Sequence, residues 1–161
     1  MASATASLKV GDLAPDFTAT DDRDKRISLS DFKGHTVVLF FYPKDDTPGC
    51  TVEACAFQEA LPTFEGVNAK VIGVSPDPVK KHVKFKEKFG LEYPLVADTE
   101  HTVSEAYGVW GEKSMYGRKY WGVNRTTFVI DRDGRIAHVF EKVKPQDHAA
   151  EVAEAVAALG K

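Results

Sequence analysis

The sequence predicts an α/β domain: a mixed β-sheet with helices on both faces and a β-hairpin in front of it. Three observations lead there. Short apolar runs of the kind that form buried strands alternate with stretches of helical period. The last two strand-like runs are joined by a turn too short for a crossover, so they must pair antiparallel. The chain has 161 residues, of which 43% are hydrophobic and 28% charged, enough for one core and without repeat or linker.

Met1 to Ser7 is small and polar and is expected to be a flexible tail, with one domain over 8–161. Phe17–Ala19 and Arg26–Leu29 flank the polar turn Asp21–Asp24 and read as a hairpin. Ser30–Phe32 reads as a helical turn ending at Gly34. His35–Tyr42 holds six consecutive apolar residues, the pattern of a strand covered on both faces, and Pro43 closes it. Thr47, as cap, and Pro48, at the first helical position, open a helix to about Phe64, with Pro62 expected to end or kink it. Val71–Val74 is a second buried strand. Val79–Phe89 is an amphipathic helix with Val79 and Val83, and partly Phe85 and Phe89, inward; its lysines face water and Gly90 stops it. Leu95–Ala97 reads as a strand and Thr99–Tyr107 as a helix. Val109–Val123, with Gly111, Gly117 and Gly122, reads as loop. Thr126–Ile130 and Ile136–Phe140 bracket the turn Asp131–Gly134, and Asp147 opens a helix with Val152, Val156 and Leu159 on one stripe. This order has a thioredoxin-like layout as its natural candidate.

Composition excludes several classes of function. A net charge of −3 with scattered histidines gives no footprint for nucleic acid. No apolar run approaches the ~20 residues that span a bilayer, and the start lacks the basic and apolar regions of a signal peptide. A cytoplasmic protein with no membrane or nucleic-acid partner is expected. Cys50 and Cys55 are the only cysteines. A structural zinc site needs about four ligands, and none lies near them in sequence, so neither metal nor cofactor is expected.

Cys50 follows a buried strand, in the first turn of the helix opened by Thr47 and Pro48. The positive end of a helix favours a thiolate, the nucleophilic form of cysteine. A small buried hydrophobe is the bland reading of the same residue and stays open on position alone. Cys55 lies five residues on. In an ideal helix that spacing separates Cα atoms by ~8.7 Å, whereas a disulfide spans at most about 6.8 Å. If the two cysteines bond, the first turns of the helix must unwind. The spacing is also not the C-x-x-C of dithiol exchangers.

Pro43-Lys44-Asp45-Asp46-Thr47-Pro48-Gly49-Cys50 matches the pattern P-x-x-x-[ST]-x-x-C and resembles the active site of the peroxiredoxins. Thr51-Val52-Glu53-Ala54-Cys55 resembles the peroxiredoxin Q, or bacterioferritin comigratory protein, subfamily. Further matches run along nearly the whole chain: Val10-Gly11-Asp12, Ala14-Pro15-Asp16-Phe17, Phe41-Tyr42-Pro43-Lys44, Gly73-Val74-Ser75, Met115-Tyr116-Gly117 and Arg125 to Asp131. The resemblance implies a thiol peroxidase of hydrogen peroxide and organic hydroperoxides, with Cys50 as peroxidatic nucleophile and Cys55 as resolving residue. It implies that the Thr47 hydroxyl bonds thiolate and peroxide, that Arg125 stabilises the thiolate, and that Pro43 shields the sulfur. Glu53 would orient the arginine. It also implies an intramolecular Cys50–Cys55 disulfide, thioredoxin or a similar dithiol as reductant, and a monomer.

Each residue has a plainer reading. Pro43 ends a strand, Thr47 caps a helix, Arg125 alone reads as a surface arginine, and Glu53 compensates a helix dipole. Asp45 and Asp46 read as solvated loop, and the lysines from Lys80 to Lys88 as a wet helix face. Tyr116, Tyr120 and Trp121 fit either a rim for substrate or partner or the core. Two other functions share the features: a disulfide reductase or isomerase, disfavoured by the missing C-x-x-C, and a redox sensor that uses the same first chemical step.

Overall fold

Six consecutive β-forming apolar residues can be buried together only where both faces of a strand are covered. That is the place of β3 (Thr36–Phe41), all of whose side chains are buried. The computed structural model describes residues 8–141 and 143–159, so the expected tail Met1–Ser7 lies outside the described residues. The chain runs β1 (Thr18–Asp21), β2 (Arg26–Ser28), a 3₁₀ turn at Leu29–Phe32, β3, α1 (Pro48–Gly66), β4 (Ala69–Ser75), α2 (Val79–Phe89), β5 (Leu95–Ala97), α3 (Thr102–Ala106), β6 (Trp110–Met115), β7 (Arg118–Val123), β8 (Thr126–Ile130), β9 (Ile136–Glu141) and α4 (His148–Leu159). Seven strands form one sheet in the order β2-β1-β5-β4-β3-β8-β9. The pairs β3–β4 and β4–β5 are parallel and β1–β2, β1–β5, β3–β8 and β8–β9 antiparallel, the mixed sheet expected.

Because side chains alternate along a strand, β3 serves two cores. Val38, Phe40 and Tyr42 pack under α1, α2 and α4, with Phe57, Phe64, Phe85, Val152 and Val156. Val37, Leu39 and Phe41 face the other side, with Val103 of α3, Tyr107 and the N-terminal hairpin's Ile27. Helices thus cover both faces, and the thioredoxin-like layout stands.

Several local expectations need correction. Helix α1 continues through Pro62 to Gly66; Pro62 is exposed and removes only one amide bond. In α2 the buried residues are His82 and Phe85, while Val83 is 37% exposed; the inward stripe is offset by one residue because a histidine occupies it. Leu159 is exposed, so the stripe of α4 is Val152 and Val156. Helix α3 begins only at Thr102. Val109–Val123 is not a loop but holds a hairpin in which Trp110 to Met115 pair with Val123 to Arg118. Its glycines mislead because each serves the hairpin: Gly111 and Gly122 face each other in register, and Gly117 follows Tyr116 in a two-residue turn with φ of 53° and 78°. Tyr116 is 98% and Trp121 62% exposed, so neither belongs to the core.

Gly73 sits in β4 where the core leaves no room. A Cβ there would lie 2.9 Å from Phe40 Cζ and 3.0 Å from Leu95 Cδ2, and Phe40 is itself stacked on Phe57 at 4.5 Å. Gly73→Ala is expected to lower stability by about 1–3 kcal/mol, measured as a lower urea midpoint at unchanged slope. An unchanged midpoint would mean that the two side chains yield.

Candidate active site

The site is built where β3 hands over to α1. Thr47 stands at the N-cap with extended backbone (φ −99°, ψ 155°), and Pro48 begins the helix. The sequence predicts that the Thr47 side chain caps the helix, but it does not: its hydroxyl donates instead to the Lys44 carbonyl at 3.0 Å. A hydroxyl so engaged keeps its lone pairs for accepting and has spent its single proton. The first amides of α1 are left without a side-chain cap.

Cys50 is the third residue of α1 and 1% exposed. Arg125, between β7 and β8, donates from Nη2 to Cys50 Sγ at 3.2 Å and from Nη1 to Glu53 Oε1 at 2.6 Å. Cys50 and Glu53 are three apart on α1 and share a face, so one planar guanidinium reaches both. Gly49 makes room for it: a Cβ there would stand 3.3 Å from Arg125 Nη2.

Charge at this place is expensive. Glu53 is wholly buried, and its Oε2 has no hydrogen-bond partner among the described residues. Burial pushes its carboxyl up to about 7 from the ordinary 4.5, against the pull of Arg125. Burial also acts against the Arg125 cation, but the charges of Glu53 and Cys50 outweigh it and raise its pKa. The difference is physical: the carboxylate is fully enclosed, whereas the arginine side chain keeps 19% exposure. A second cation stands close by, since Lys113 of β6 donates to the Val123 carbonyl at 2.9 Å. Burial first, and then Arg125, push its pKa down.

Cys55 is part-buried on the same unbroken helix, and both cysteines are free thiols. Burial and then Glu59 push the Cys55 thiol up, so this sulfur holds its proton while the helix is intact. Pro43 lies half-buried just beyond β3. Of the residues expected at the site, the structure joins Cys50, Arg125 and Glu53 by hydrogen bonds and sets Thr47 and Pro43 on the loop leading into α1.

Sequence reasoning missed the inside of that loop. Asp45, expected in solvent, is 3% exposed. It accepts from the Tyr42 hydroxyl at 2.6 Å, lies 2.6 Å from His82 Nδ1, and donates its amide to Asp77 at 2.7 Å. The available signal was the i, i+3, i+7 series His82, Phe85, Phe89, once a histidine is allowed to face inward. The lysines of α2 are not simply wet either: Lys81, Lys86 and Lys88 pair with Asp77, Asp22 and Asp46. Among the described residues no group of three or more histidine, cysteine, aspartate or glutamate side chains could hold a metal ion. No helix there is long and apolar enough to cross a membrane.

The AhpC/TSA family model matches residues 10–139. Peroxiredoxin Bcp of Bacillus subtilis is 47% identical over 145 residues, covering 90% of this chain and 92% of that one. The fold is similar to that of a peroxiredoxin Q cysteine mutant from Xylella fastidiosa, with TM-score 0.90 and 37% identity over 96% of this chain and 98% of that one. It is also similar to the bacterioferritin comigratory protein of Xanthomonas campestris, with TM-score 0.88 and 37% identity over 97% and 99%. A buried cysteine at a helix start, bridged by arginine to a buried glutamate, thus stands in a chain that belongs to the AhpC/TSA family, within its peroxiredoxin Q and Bcp branch of thiol peroxidases.

Proposed function

We propose that the protein reduces hydrogen peroxide and organic hydroperoxides through Cys50 and resolves the product with Cys55. The observation that carries this reading is the guanidinium of Arg125 set 3.2 Å from Cys50 Sγ and fixed by Glu53 at 2.6 Å. The alkyl peroxide reduction activity named for the Xanthomonas campestris relative supports the substrate class.

In the proposed cycle the Cys50 thiolate attacks the terminal oxygen of R–O–O–H. The O–O bond breaks, the sulfur loses two electrons to become a sulfenic acid, and RO⁻ leaves to take up a proton as alcohol or water. Arg125 holds positive charge beside both the thiolate and the departing oxygen. Thr47, whose own proton is on the Lys44 carbonyl, accepts the peroxide's O–H and orients it. Pro43 limits water around the sulfur.

Resolution requires the first turns of α1 to unwind, because the intact helix holds positions 50 and 55 apart. Unwinding also removes the burial that keeps Cys55 protonated. Its thiolate then attacks the sulfenic sulfur, an S–S bond replaces the S–O bond, and hydroxide leaves to take up as water the proton that Cys55 released. A dithiol protein of the thioredoxin kind returns both thiols. A reducing compartment such as the cytoplasm suits this cycle, and a chain that makes its own disulfide works as a monomer.

Steady-state peroxide consumption with thioredoxin, its reductase and NADPH tests the reading. Wild type is expected to turn over, Cys50→Ser to be inactive, and Cys55→Ser to stop after one oxidation. A Cys50→Ser variant with wild-type turnover would sink the assignment; a wild type that reacts only once would move it to a redox sensor. Arg125→Lys, which cannot bridge sulfur and carboxylate together, is expected to slow Cys50 oxidation about 100-fold in single-turnover kinetics; a change under threefold contradicts the role.

Glu53 supplies a pH signature. Its folded pKa is raised from 4.5 to about 7, so the folded chain holds this proton more tightly than the unfolded one. That contribution is complete below about pH 4.5 and is lost as pH rises through about 7. Glu53→Gln keeps an acceptor for Arg125 and cannot ionise. The stability of wild type relative to this variant is expected to fall by on the order of 3 kcal/mol from about pH 4.5 to about pH 8. A difference that stays flat in denaturation across that range refutes the buried carboxyl's role.

A further inference from the structure

We propose that Asp45 and His82 form a buried clamp that positions the Pro43–Thr47 loop for attack on the peroxide, His82 acting through Asp45. The inference rests on reading Cys50 as the peroxidatic nucleophile.

The loop is short and turns sharply, with Asp46 at φ 59°. On a solvated loop Asp45 would point out. Here its three polar groups all point inward to separate elements. The amide donates to Asp77 Oδ2 at 2.7 Å, beyond the end of β4. Oδ1 accepts from Tyr42 at the end of β3, and Oδ2 meets His82 Nδ1 of α2 at 2.6 Å. His82 is fully buried, and its Nε2 lies 2.9 Å from the Val96 carbonyl of β5. Asp77 is held in turn by the Ser75 hydroxyl at 2.8 Å and by Lys81 at 3.3 Å.

Counting protons shows why the arrangement is rigid. A carbonyl can only accept, so His82 Nε2 must donate to Val96. The remaining contact, Nδ1 to Oδ2, needs one proton between the two atoms. Asp45 and His82 therefore hold that proton jointly, either as imidazolium and carboxylate or as two neutral groups, and the bond forms in both cases. The groups around the pair include Tyr42, Asp77, Lys81 and Tyr93; the first three are engaged with Asp45 or with its neighbour, and Tyr93 donates to the Ala54 carbonyl. Moving the loop would strand buried polar atoms without partners, which is costly.

This network shares no residue with the Cys50, Arg125 and Glu53 set. It acts on the loop that carries Thr47 and Pro43 and leaves the sulfur's own partners alone. Peroxide attack needs the sulfur and an aligned O–O bond together. Alkylation by iodoacetamide needs the sulfur alone. The two reagents therefore separate a positioning role from a merely structural one.

The test uses the Cys55→Ser chain, where Cys50 is the only thiol, and measures its second-order rates with hydrogen peroxide and with iodoacetamide. Asp45→Ala and His82→Leu are expected to slow the peroxide reaction about 10- to 100-fold while alkylation stays within about threefold. Asp45→Asn, whose amide accepts from Tyr42 and donates to a neutral His82, is expected to restore most of the peroxide rate. Should the alanine and leucine variants not fold, Tyr42→Phe removes one hydroxyl and is expected to slow peroxide selectively, by about fivefold. The clamp is overturned if folded variants keep the parent peroxide rate, if both reagents change alike, or if Asp45→Asn is no better than Asp45→Ala. A parent chain that alkylates but ignores peroxide would overturn the peroxidase reading, a distinct result.

Discussion

One cation shared between two acids, in a place water scarcely reaches, is what the rest of the site depends on. Arg125 has to satisfy Cys50 and Glu53 at once, and its planar guanidinium is the side chain with donors spread widely enough to do so. The demand propagates outward. A glycine at position 49 lets the guanidinium approach closely, since a Cβ there would stand 3.3 Å from Arg125 Nη2. Glu53 must lie one turn from Cys50 on the same helix. Arg125 must enter from the start of β8, which β3 holds in antiparallel register with Phe41 opposite Thr126. The central strand thus positions both halves of the site: its end releases the loop into α1, and its partner β8 begins beside the arginine.

Much of this was legible in the sequence because it follows from local rules. A run of β-branched and aromatic residues that is apolar throughout can only be a central strand, and β3 is one. Gly90 ends α2 in the left-handed conformation, as its place after the last periodic residue required. The short motif around Cys50 singled out the loop into α1 before any fold was known, and the structure buries Cys50 at the start of that helix. What was illegible depended on long-range pairing. Asp45 in a run of polar residues looks solvated until His82 arrives from 37 positions away. Val83 and Leu159 were assigned inward because polarity alone ranks them above histidine and alanine. The β6–β7 hairpin was hidden by three glycines that are common in loops and were here required by a tight turn and a close cross-strand pair.

The two corners of the site answer different physical problems. Around Arg125 the problem is to keep charge in a dry place, and the solution is opposite charges within hydrogen-bonding distance. Around Asp45 it is to hold five residues of loop in one conformation against their entropy. There the solution is to give Asp45 three inward partners, Tyr42 and His82 on its carboxylate and Asp77 on its amide. The first arrangement governs the sulfur and the second the shape around it.

Helix α1 must be stable as a scaffold and yet open at its start if the two cysteines are ever to meet, and its anchoring is divided accordingly. From Ala54 onward it is held from outside. The buried Tyr93 hydroxyl donates to the Ala54 carbonyl at 2.7 Å, and Gln58 makes two bonds of 2.7 Å with Glu92. Phe57 and Phe64 are fully buried beneath it. The first turn has little of this: Thr47 gives it no side-chain cap, Gly49 lowers its helical preference, and its outside ties run through Arg125 to Cys50 and Glu53. In the proposed cycle, oxidation of Cys50 to a sulfenic acid replaces the sulfur that accepts from Arg125 Nη2 by a neutral group. In the proposed cycle the chemical step therefore weakens the bond that keeps the first turn wound, while the part beyond Ala54 stays anchored. In that proposed cycle the helix opens from the end where the sulfur has reacted, and the anchored part beyond Ala54 is the template on which it rewinds after reduction.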